Sequence, residues 1–378
     1  MAEQIPITPG IVTWARERAG LSLEQAAQEF RRIDEWERGA SFPTYSQLEK
    51  LSDTFKLPIA VFFFPAPPKV PPIQETFRTL PDAEFAQLPS RIRLLLRKAK
   101  ALQLNLSEMT QGRNPAGRLI TRDLEFAATV AIDEMAATVR NYLGISLEQQ
   151  TGWASDDLAL KEWRRVLLDA GIFVFKDAFK VEDYSGFCLY DSEFPVIYVN
   201  NTSAKTRQIF TLFHELAHLL FHTSGVDTLS DAYIPRLRDD ARRIEVLCNR
   251  FAAQFLVPEG ALGAALAGRE ASEQVAYELA ARFHVSRESI FRRFLDRGLI
   301  DNEQYEEAAA RWARQRQAGG AGGDYYWTKL SYLGREYVAL ALRQFHQNRI
   351  DETQLAEYLD TKPKNVGSLE EYFERGNV

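Results

Sequence analysis

The stretch FTLFHELAHLLFH, residues 210–222, decides how this sequence folds and what it can do. Its apolar residues recur every three or four positions, which predicts an amphipathic helix, and the preceding Thr/Ser positions offer a cap. His214 and His218 are four residues apart, so they diverge by only about 40° around a helix and can reach one ion. Glu215 is rotated about 100° from His214, beside that ion. The pattern predicts a metal site with two histidine ligands and a carboxylate base.

Two residues compete for the role of third metal ligand, His222 and Glu245. A catalytic zinc takes three protein ligands and keeps one position open for water. His222 continues the four-residue spacing, but three histidines on one straight helix would diverge from a tetrahedron. Glu245 lies on the next predicted helix, ARRIEVLCNRFAAQFLV, whose apolar residues indicate a buried face, and a buried carboxylate needs a partner. The pattern favours Glu245 as ligand and leaves His222 at the rim of the site or behind a ligand.

The predicted chemistry is hydrolysis of an amide. A bound Zn²⁺ would lower the pKa of a water to about 7, and Glu215 would take its proton and pass it to the leaving amine. Two histidines and one carboxylate would also accept Mn²⁺ or Fe²⁺. Candidate donors to the developing oxyanion are Tyr198, His222 and Tyr233. The structural alternative is an amphipathic helix whose histidines lie at the edge of its apolar face.

The flanking sequence predicts a small sheet among many helices. Three segments within residues 171–200, GIFVFKD, SGFCLYD and FPVIYVN, are rich in β-branched and aromatic residues and separated by turn formers. If PVIYVN forms the sheet edge, an extended peptide could add to it above the metal. Helical spacing recurs on both sides of this region. We therefore expect an α+β, predominantly helical fold with a zincin-like HExxH helix, flanked by helical N- and C-terminal domains.

Proline and glycine clusters predict the domain boundaries. FFFPAPPKVPPIQ at 62–74 is typical of a linker, and AGGAGG at 318–323 of a flexible joint. The aromatic-rich segment after that joint would cap the core, dock a partner or cover the active site. The predicted parts are a helical unit at 1–66, a linker and helical connector at 67–150, a zincin-like metallopeptidase domain at 151–300 and a C-terminal helical segment at 301–378.

Composition excludes several classes of function. A net charge of −6 argues against a protein that coats nucleic acid. The N-terminus lacks the apolar core of a signal peptide, and the longest apolar run, IAVFFF at 59–64, is too short to span a membrane. Cys188 and Cys248 fit a reducing compartment without a disulfide framework. We expect a cytoplasmic protein with no membrane partner.

FTLFHELAHLLFH followed by RRIEVLCNRFAAQFLVPEGAL resembles the ImmA/IrrE family of metallopeptidases. In that family two histidines and the glutamate of E-x-x-x-N-x-F-A bind the metal, which implies His214, His218 and Glu245 as ligands here. Asn249 occupies the family's Asn position and could orient a ligand. Such proteins cleave helix-turn-helix repressors, so the resemblance implies an endopeptidase that acts on a cytoplasmic regulator in a stress or mobile-element setting.

Residues 13–65 resemble the XRE-type helix-turn-helix that often precedes this peptidase, through LSLEQAAQEF, WERG at 36–39 and Pro43. A helix-turn-helix needs two helices and a turn of three or four residues. AAQEFRRIDEWERG runs from the first helix into WERG without them, so we expect a truncated recognition helix. This favours a structural or partner-docking role for the unit over sequence-specific DNA binding. Fused XRE and peptidase proteins also resemble antitoxins, which makes a module that binds a cognate toxin or represses its operon the alternative function.

A second candidate for nucleic-acid binding is LAARFHVSRESIFRRFLDRGLI at 279–300, where a turn at 284–286 separates a helix from a basic helix. The simpler interpretation is that this segment packs beside the peptidase. The side chains that would contact phosphates are Arg287, Arg292, Arg293 and Arg297.

Overall fold

The structure is a computed structural model that describes residues 3–55, 57–68, 88–181, 183–228, 239–315 and 323–376. The chain divides into two compact units, residues 1–75 with 81–98 and residues 76–80 with 99–378. Residues 69–74 of the proline cluster and 318–322 of the glycine cluster lie outside the described residues. The four-part division that these clusters suggest stays a prediction.

The first unit is helical. Ser22 and Gln25 form a capping box, in which each side chain bonds the other's backbone N–H, and this box starts the second helix. Its core surrounds Trp36, with Phe30 in contact with both Trp36 and Phe55. The elements are α1 (Pro9–Ala19), α2 (Leu23–Glu29), α3 (Ile33–Arg38), α4 (Tyr45–Phe55) and a 3₁₀ turn (Ile59–Phe63).

The expectation that no turn interrupts AAQEFRRIDEWERG is wrong. Helix α2 ends where Phe30 leaves the helical conformation, with φ −125° and ψ 84°, and α3 begins at Ile33 after a turn of three residues. Helix α3 has only six residues, and its first turn carries Asp34 and Glu35. Both carboxylates form ion pairs within the segment, Asp34 with Arg38 and Glu35 with Arg32, and the expectation about DNA binding stays a prediction.

The second unit contains every strand that the structure describes. Its helices before the sheet are α5 (Ser90–Met109, whose residues 90–98 belong to the first unit), α6 (Ile120–Asp123), α7 (Ile132–Leu143), α8 (Leu147–Thr151) and α9 (Asp156–Asp169). The sheet and the central helices are β1 (Phe173–Asp177), β2 (Tyr184–Leu189), β3 (Val196–Asn200), α10 (Lys205–Leu220), β4 (Val226–Thr228) and α11 (Asp239–Leu256).

Helices make up the remainder of the second unit. They are α12 (Glu259–Leu266), α13 (Glu273–Phe283), α14 (Arg287–Asp296), α15 (Asn302–Gln315), α16 (Tyr325–Leu333), α17 (Arg335–His346), α18 (Glu352–Tyr358) and α19 (Val366–Arg375), with a 3₁₀ turn at Pro363–Asn365. The prediction of a predominantly helical α+β fold with helical flanks is confirmed. No helix that the structure describes has the length and hydropathy to cross a bilayer.

Strand β3 lies inside the sheet, which corrects the suggestion that PVIYVN forms an edge for a peptide. The strand order is β1-β3-β2-β4, with β3 parallel to β1 and antiparallel to β2. The edges are therefore β1 and β4. The carbonyl oxygens of Val174 on β1 and Ser331 on α16 both accept from the Arg164 guanidinium, which joins α16 to the β1 edge.

The two faces of the sheet are covered by different helices. Ile197, Val199 and Cys188 belong to the same core as the apolar residues of α10 and α11. Side chains alternate along a strand, so the neighbouring aromatic residues point the other way. On that second face Phe175 contacts Tyr337 of α17, with ring centroids 5.2 Å apart. The C-terminal helices thus cap the sheet, as one of the sequence-based alternatives expected, on the face opposite α10.

Gly186 on β2 allows α10 to lie close to the sheet. A Cβ at this position would overlap the Thr211 methyl group of α10 and lie 2.9 Å from the carbonyl oxygen of Tyr198. The Tyr198 oxygen belongs to a paired strand and cannot move away easily. The absence of a side chain at position 186 therefore sets the separation between the helix and the sheet.

We expect Gly186→Ala to lower the free energy of unfolding by about 1–3 kcal/mol, because the new methyl group overpacks the core. Urea denaturation would measure the loss. Gly260→Ala is the matched control, since Gly260 lies in helix α12 and a Cβ there meets nothing within 4 Å. Equal stability of the two variants would contradict the role assigned to Gly186.

Lys176 on β1 is a buried cation. Its side chain is 5% exposed and makes no hydrogen bond or ion pair with another described residue. Burial lowers the pKa of Lys176 from 10.5 to about 7, and repulsion from Arg164 and Lys205 adds to the shift. The unfolded chain binds this proton more tightly than the folded chain, so Lys176 destabilises the fold below pH 7 and ceases to do so as the pH rises towards 10.5.

Lys176→Met should therefore raise the free energy of unfolding by about 1–3 kcal/mol near pH 6, because it removes a buried polar group with no bonding partner. The gain should shrink as the pH rises from 7 towards 10.5, because the lysine is already neutral in the folded chain while the unfolded chain still has to release its proton. Urea denaturation of the wild type and of Lys176→Met across this pH range would measure the difference between their free energies of unfolding. A difference that does not change with pH would contradict the assignment of the effect to the buried Lys176 charge.

Candidate metal centre

Helices α10 and α11 bring His214, His218 and Glu245 together. The two Nε2 atoms are 3.2 Å apart, His214 Nε2 is 3.3 Å from Glu245 Oε2, and His218 Nε2 is 3.2 Å from Glu245 Oε1. All three side chains are buried, and one ligand atom from each lies within 4.8 Å of the others. Two nitrogens and a carboxylate that converge in this way can hold one divalent ion.

The second nitrogen of each histidine faces an oxygen. His214 Nδ1 lies 2.9 Å from Asn249 Oδ1, and His218 Nδ1 lies 3.2 Å from Thr223 Oγ1. The Thr223 hydroxyl donates its own proton to the carbonyl oxygen of His218 at 3.0 Å, so towards the ring it acts as an acceptor. Both rings can therefore keep a proton on Nδ1, which leaves Nε2 as the atom that would bind a metal.

Glu245 remains ionised inside the protein. Burial alone would raise the pKa of its carboxyl, but attraction to His218 and hydrogen bonds with His214 and His218 lower that pKa below its ordinary value. With a metal in place of the Nε2 protons, the centre would offer two neutral imidazoles and one carboxylate, and this donor set fits Zn²⁺ as well as Mn²⁺ or Fe²⁺.

Glu215 lies beside the ligands without being one of them. It follows His214 on α10, is fully buried, and faces β2, where Gly186 would place a Cβ 3.8 Å from Glu215 Oε1. Cys188 of β2 is its neighbour. Burial first, and then the Glu215 carboxylate, raise the pKa of the Cys188 thiol well above its ordinary value. Cys188 is therefore a neutral thiol, and the base beside the metal position is Glu215.

His222 is not on the motif helix, which corrects the predicted series of three histidines. Helix α10 ends at Leu220, and His222 has a left-handed φ of 55°. The backbone N–H of His222 bonds Leu219 O, and that of Thr223 bonds His218 O, which is a Schellman motif with His222 at its left-handed position. The His222 ring faces the carbonyl of Thr121, with Nε2 3.2 Å from the oxygen, and not the ligands.

The structure describes only one of the two tyrosines proposed as oxyanion donors. Tyr198 stacks on Phe187 with ring centroids 5.0 Å apart, and its hydroxyl lies 3.4 Å from Asp177 Oδ2. This position is on the face of the sheet away from α10, so Tyr198 does not reach the metal position. Tyr233 lies outside the described residues.

The arginines considered for nucleic-acid binding form contacts within the protein. Arg293 and Arg297 both bond Glu259, at 2.5 Å and 2.7 Å. Arg292 bonds Asp296 at 3.2 Å, and the Arg287 guanidinium lies 4.7 Å from the ring centre of Trp312. The segment packs within the second unit, as the simpler interpretation expected.

Sequence reasoning missed two residues that hold His218. Thr223 accepts from its Nδ1, and Gly225 lies against its ring, where a Cβ would come within 2.7 Å of Cδ2. The sequence HTSG directly after the motif helix contains the signal. A left-handed residue after the helix turns the chain back towards the last helical turn. A hydroxyl or a glycine in the residues that follow then contacts the metal ligand on that turn.

The fold and the metal centre are consistent with a match between part of this sequence and a known protein family. Residues 168–295 match the family Peptidase_M78, described as the IrrE N-terminal-like domain, and this range includes all three ligands and Glu215. The match covers about a third of the chain. It supports the resemblance to ImmA/IrrE metallopeptidases for this part of the sequence.

A particular relative is the radiation response metalloprotease IrrE of Deinococcus radiodurans, which is 35% identical over 102 residues. These residues are 26% of this chain and 30% of the relative, so the chain matches less than a third of that protein. A solved structure titled Mycobacterium tuberculosis transcriptional regulator is 22% identical and covers 43% of this chain and 46% of that one. Its TM-score of 0.28 is too low to relate the two folds.

Thr223→Val should weaken Zn²⁺ binding by about tenfold to a hundredfold, because His218 loses the acceptor that fixes its ring and tautomer. Thr223→Ser keeps the hydroxyl and should bind zinc like the wild type. Competition with a chromophoric chelator would measure both affinities. If Val and Ser bind zinc equally well, the hydroxyl does not orient His218.

Proposed function

We propose that this protein is a zinc-dependent endopeptidase that cleaves a cytoplasmic regulator, such as a helix-turn-helix repressor. The observation that carries the proposal is the buried convergence of His214, His218 and Glu245 with Glu215 at their side. The matches to the IrrE N-terminal-like domain and to a metalloprotease support the same activity.

The three ligands would hold Zn²⁺, which when bound supplies a Lewis acid for the carbonyl group and lowers the pKa of water. Glu215 is the proton carrier of this chain. Its position next to His214 on the helix would place it beside a bound ion without making it a ligand. It would take a proton from the attacking water and donate it to the leaving amine. Asn249 and Thr223 keep both histidines in the form that such a centre requires.

The position of Glu215 between α10 and β2 suits this role. The side chain is fully buried at the junction of α10 and β2. Cys188, as a neutral thiol, does not add a competing charge beside it.

Glu215→Gln should abolish proteolysis while leaving metal binding intact, because it removes the base and none of the ligands. Mass spectrometry of protein termini in cells that express either form at matched levels would test this. We expect new termini only with the wild type, and these termini would identify the substrate. Glu148→Gln, an exposed glutamate on α8, should behave like the wild type.

Identical termini in cells with the wild type and Glu215→Gln would contradict proteolysis. If both forms then captured the same partner or blocked the same toxicity, the protein would act as an antitoxin-like binding module whose metal site is structural. Metal analysis of each purified form is the necessary control, because a variant without zinc would be inactive for a different reason.

A further inference from the structure

A groove of about 510 Å³ runs along helix α11. Its opposite wall is the segment Ala128–Val130, which precedes α7. The apolar part of its surface comes from Val130, Val246 and Leu247, which are all partly exposed. Ligand pockets in proteins commonly enclose about 300–1,000 Å³, so this groove has room for a few side chains of a peptide.

Three arginines of α11 line the same groove. Arg242, Arg243 and Arg250 are exposed, and none of them makes an ion pair with another residue that the structure describes. The arginines of α14 differ in this respect, since Arg293 and Arg297 share Glu259. Guanidinium groups that no described carboxylate neutralises favour a ligand that brings its own negative charge.

The groove lies on the helix that also carries the metal ligand Glu245. Arg242 precedes the ligand Glu245 by three residues, which places the two about 60° apart around α11 and less than one turn apart along it. Arg250 follows Asn249, the acceptor of the His214 proton. Arg242 and Arg250 are eight residues apart, or about 12 Å along the helix. One polypeptide segment bound in the groove could therefore contact arginines over about this length of α11.

We propose that this groove binds an acidic segment of the protein substrate, with Arg242, Arg243 and Arg250 pairing with its carboxylates. The inference rests on the proposed peptidase function and adds a substrate class to it. The apolar residues between the arginines suit a polypeptide, in which acidic and apolar side chains alternate at short spacing. A nucleic-acid backbone presents phosphates without apolar partners for Val246 and Leu247.

Binding can be measured without cleavage in the zinc-loaded Glu215→Gln protein. The probes are a fluorescein-labelled peptide in which Glu alternates with Ala, Val and Gly, the same peptide with Gln, the same peptide with Lys, and a short DNA duplex. By fluorescence anisotropy, the Glu peptide should bind about tenfold more tightly than the Gln peptide, the effect of one charge-assisted contact. The difference should decrease as the salt concentration rises.

Replacing Arg242, Arg243 and Arg250 by Gln should abolish that difference. Replacing the exposed Arg165, Arg311 and Arg375 by Gln is the matched control, because it removes equal charge elsewhere and should preserve the difference. Zinc content and circular dichroism of each variant would verify the fold. The groove variant also tests whether the peptide carboxylates bind zinc directly. In that case the preference for the Glu peptide would persist after the three arginines are replaced.

Equal binding of the Glu and Gln peptides would overturn the proposal, and so would a preference for Glu that persists in the groove variant. Tighter binding of the DNA duplex, with the same dependence on the three arginines, would assign the groove to nucleic acid. A different result would contradict the peptidase proposal without contradicting the groove proposal. Identical cellular termini with the wild type and Glu215→Gln would contradict proteolysis while a Glu preference in anisotropy remained.

Discussion

The burial of one carboxylate between two imidazoles is the interaction on which this structure depends. Glu245 is 7% exposed, and its charge is compatible with the core because His214 and His218 lie against it. Helices α10 and α11 must therefore pack with these faces together. The same packing buries the aromatic residues that follow on α11 and forms the main core of the second unit.

Small residues around the motif helix make this arrangement sterically possible. Gly186 lets the helix approach the sheet, and Gly225 leaves room for the His218 ring. The helix then ends in a left-handed residue, which turns the chain back so that Thr223 meets the ligand it has just passed. The metal centre is thus shaped as much by the end of α10 and by β2 as by the residues of the motif.

Features set by local spacing were predictable from the sequence. The positions of His214, Glu215 and His218 follow from helical periodicity, and the three main strands follow from their composition. The order of those strands could not be inferred, because pairing of β3 between β1 and β2 depends on contacts distant in sequence. The end of α10 was misjudged for a related reason. His222 continues the apolar spacing, whereas hydrogen bonds, and not periodicity, end the helix.

The ligand geometry also has a consequence for motion. An ion held by α10 and α11 would join two elements separated by β4 and by the chain that follows it, and so would close a loop in the manner of a covalent cross-link. Closing that loop restricts the open states of α11 more than those of the helices that precede the sheet. The amide protons of α11 would then exchange with solvent at rates governed by occupancy of the centre, so the dynamics of one helix would report on the state of the site.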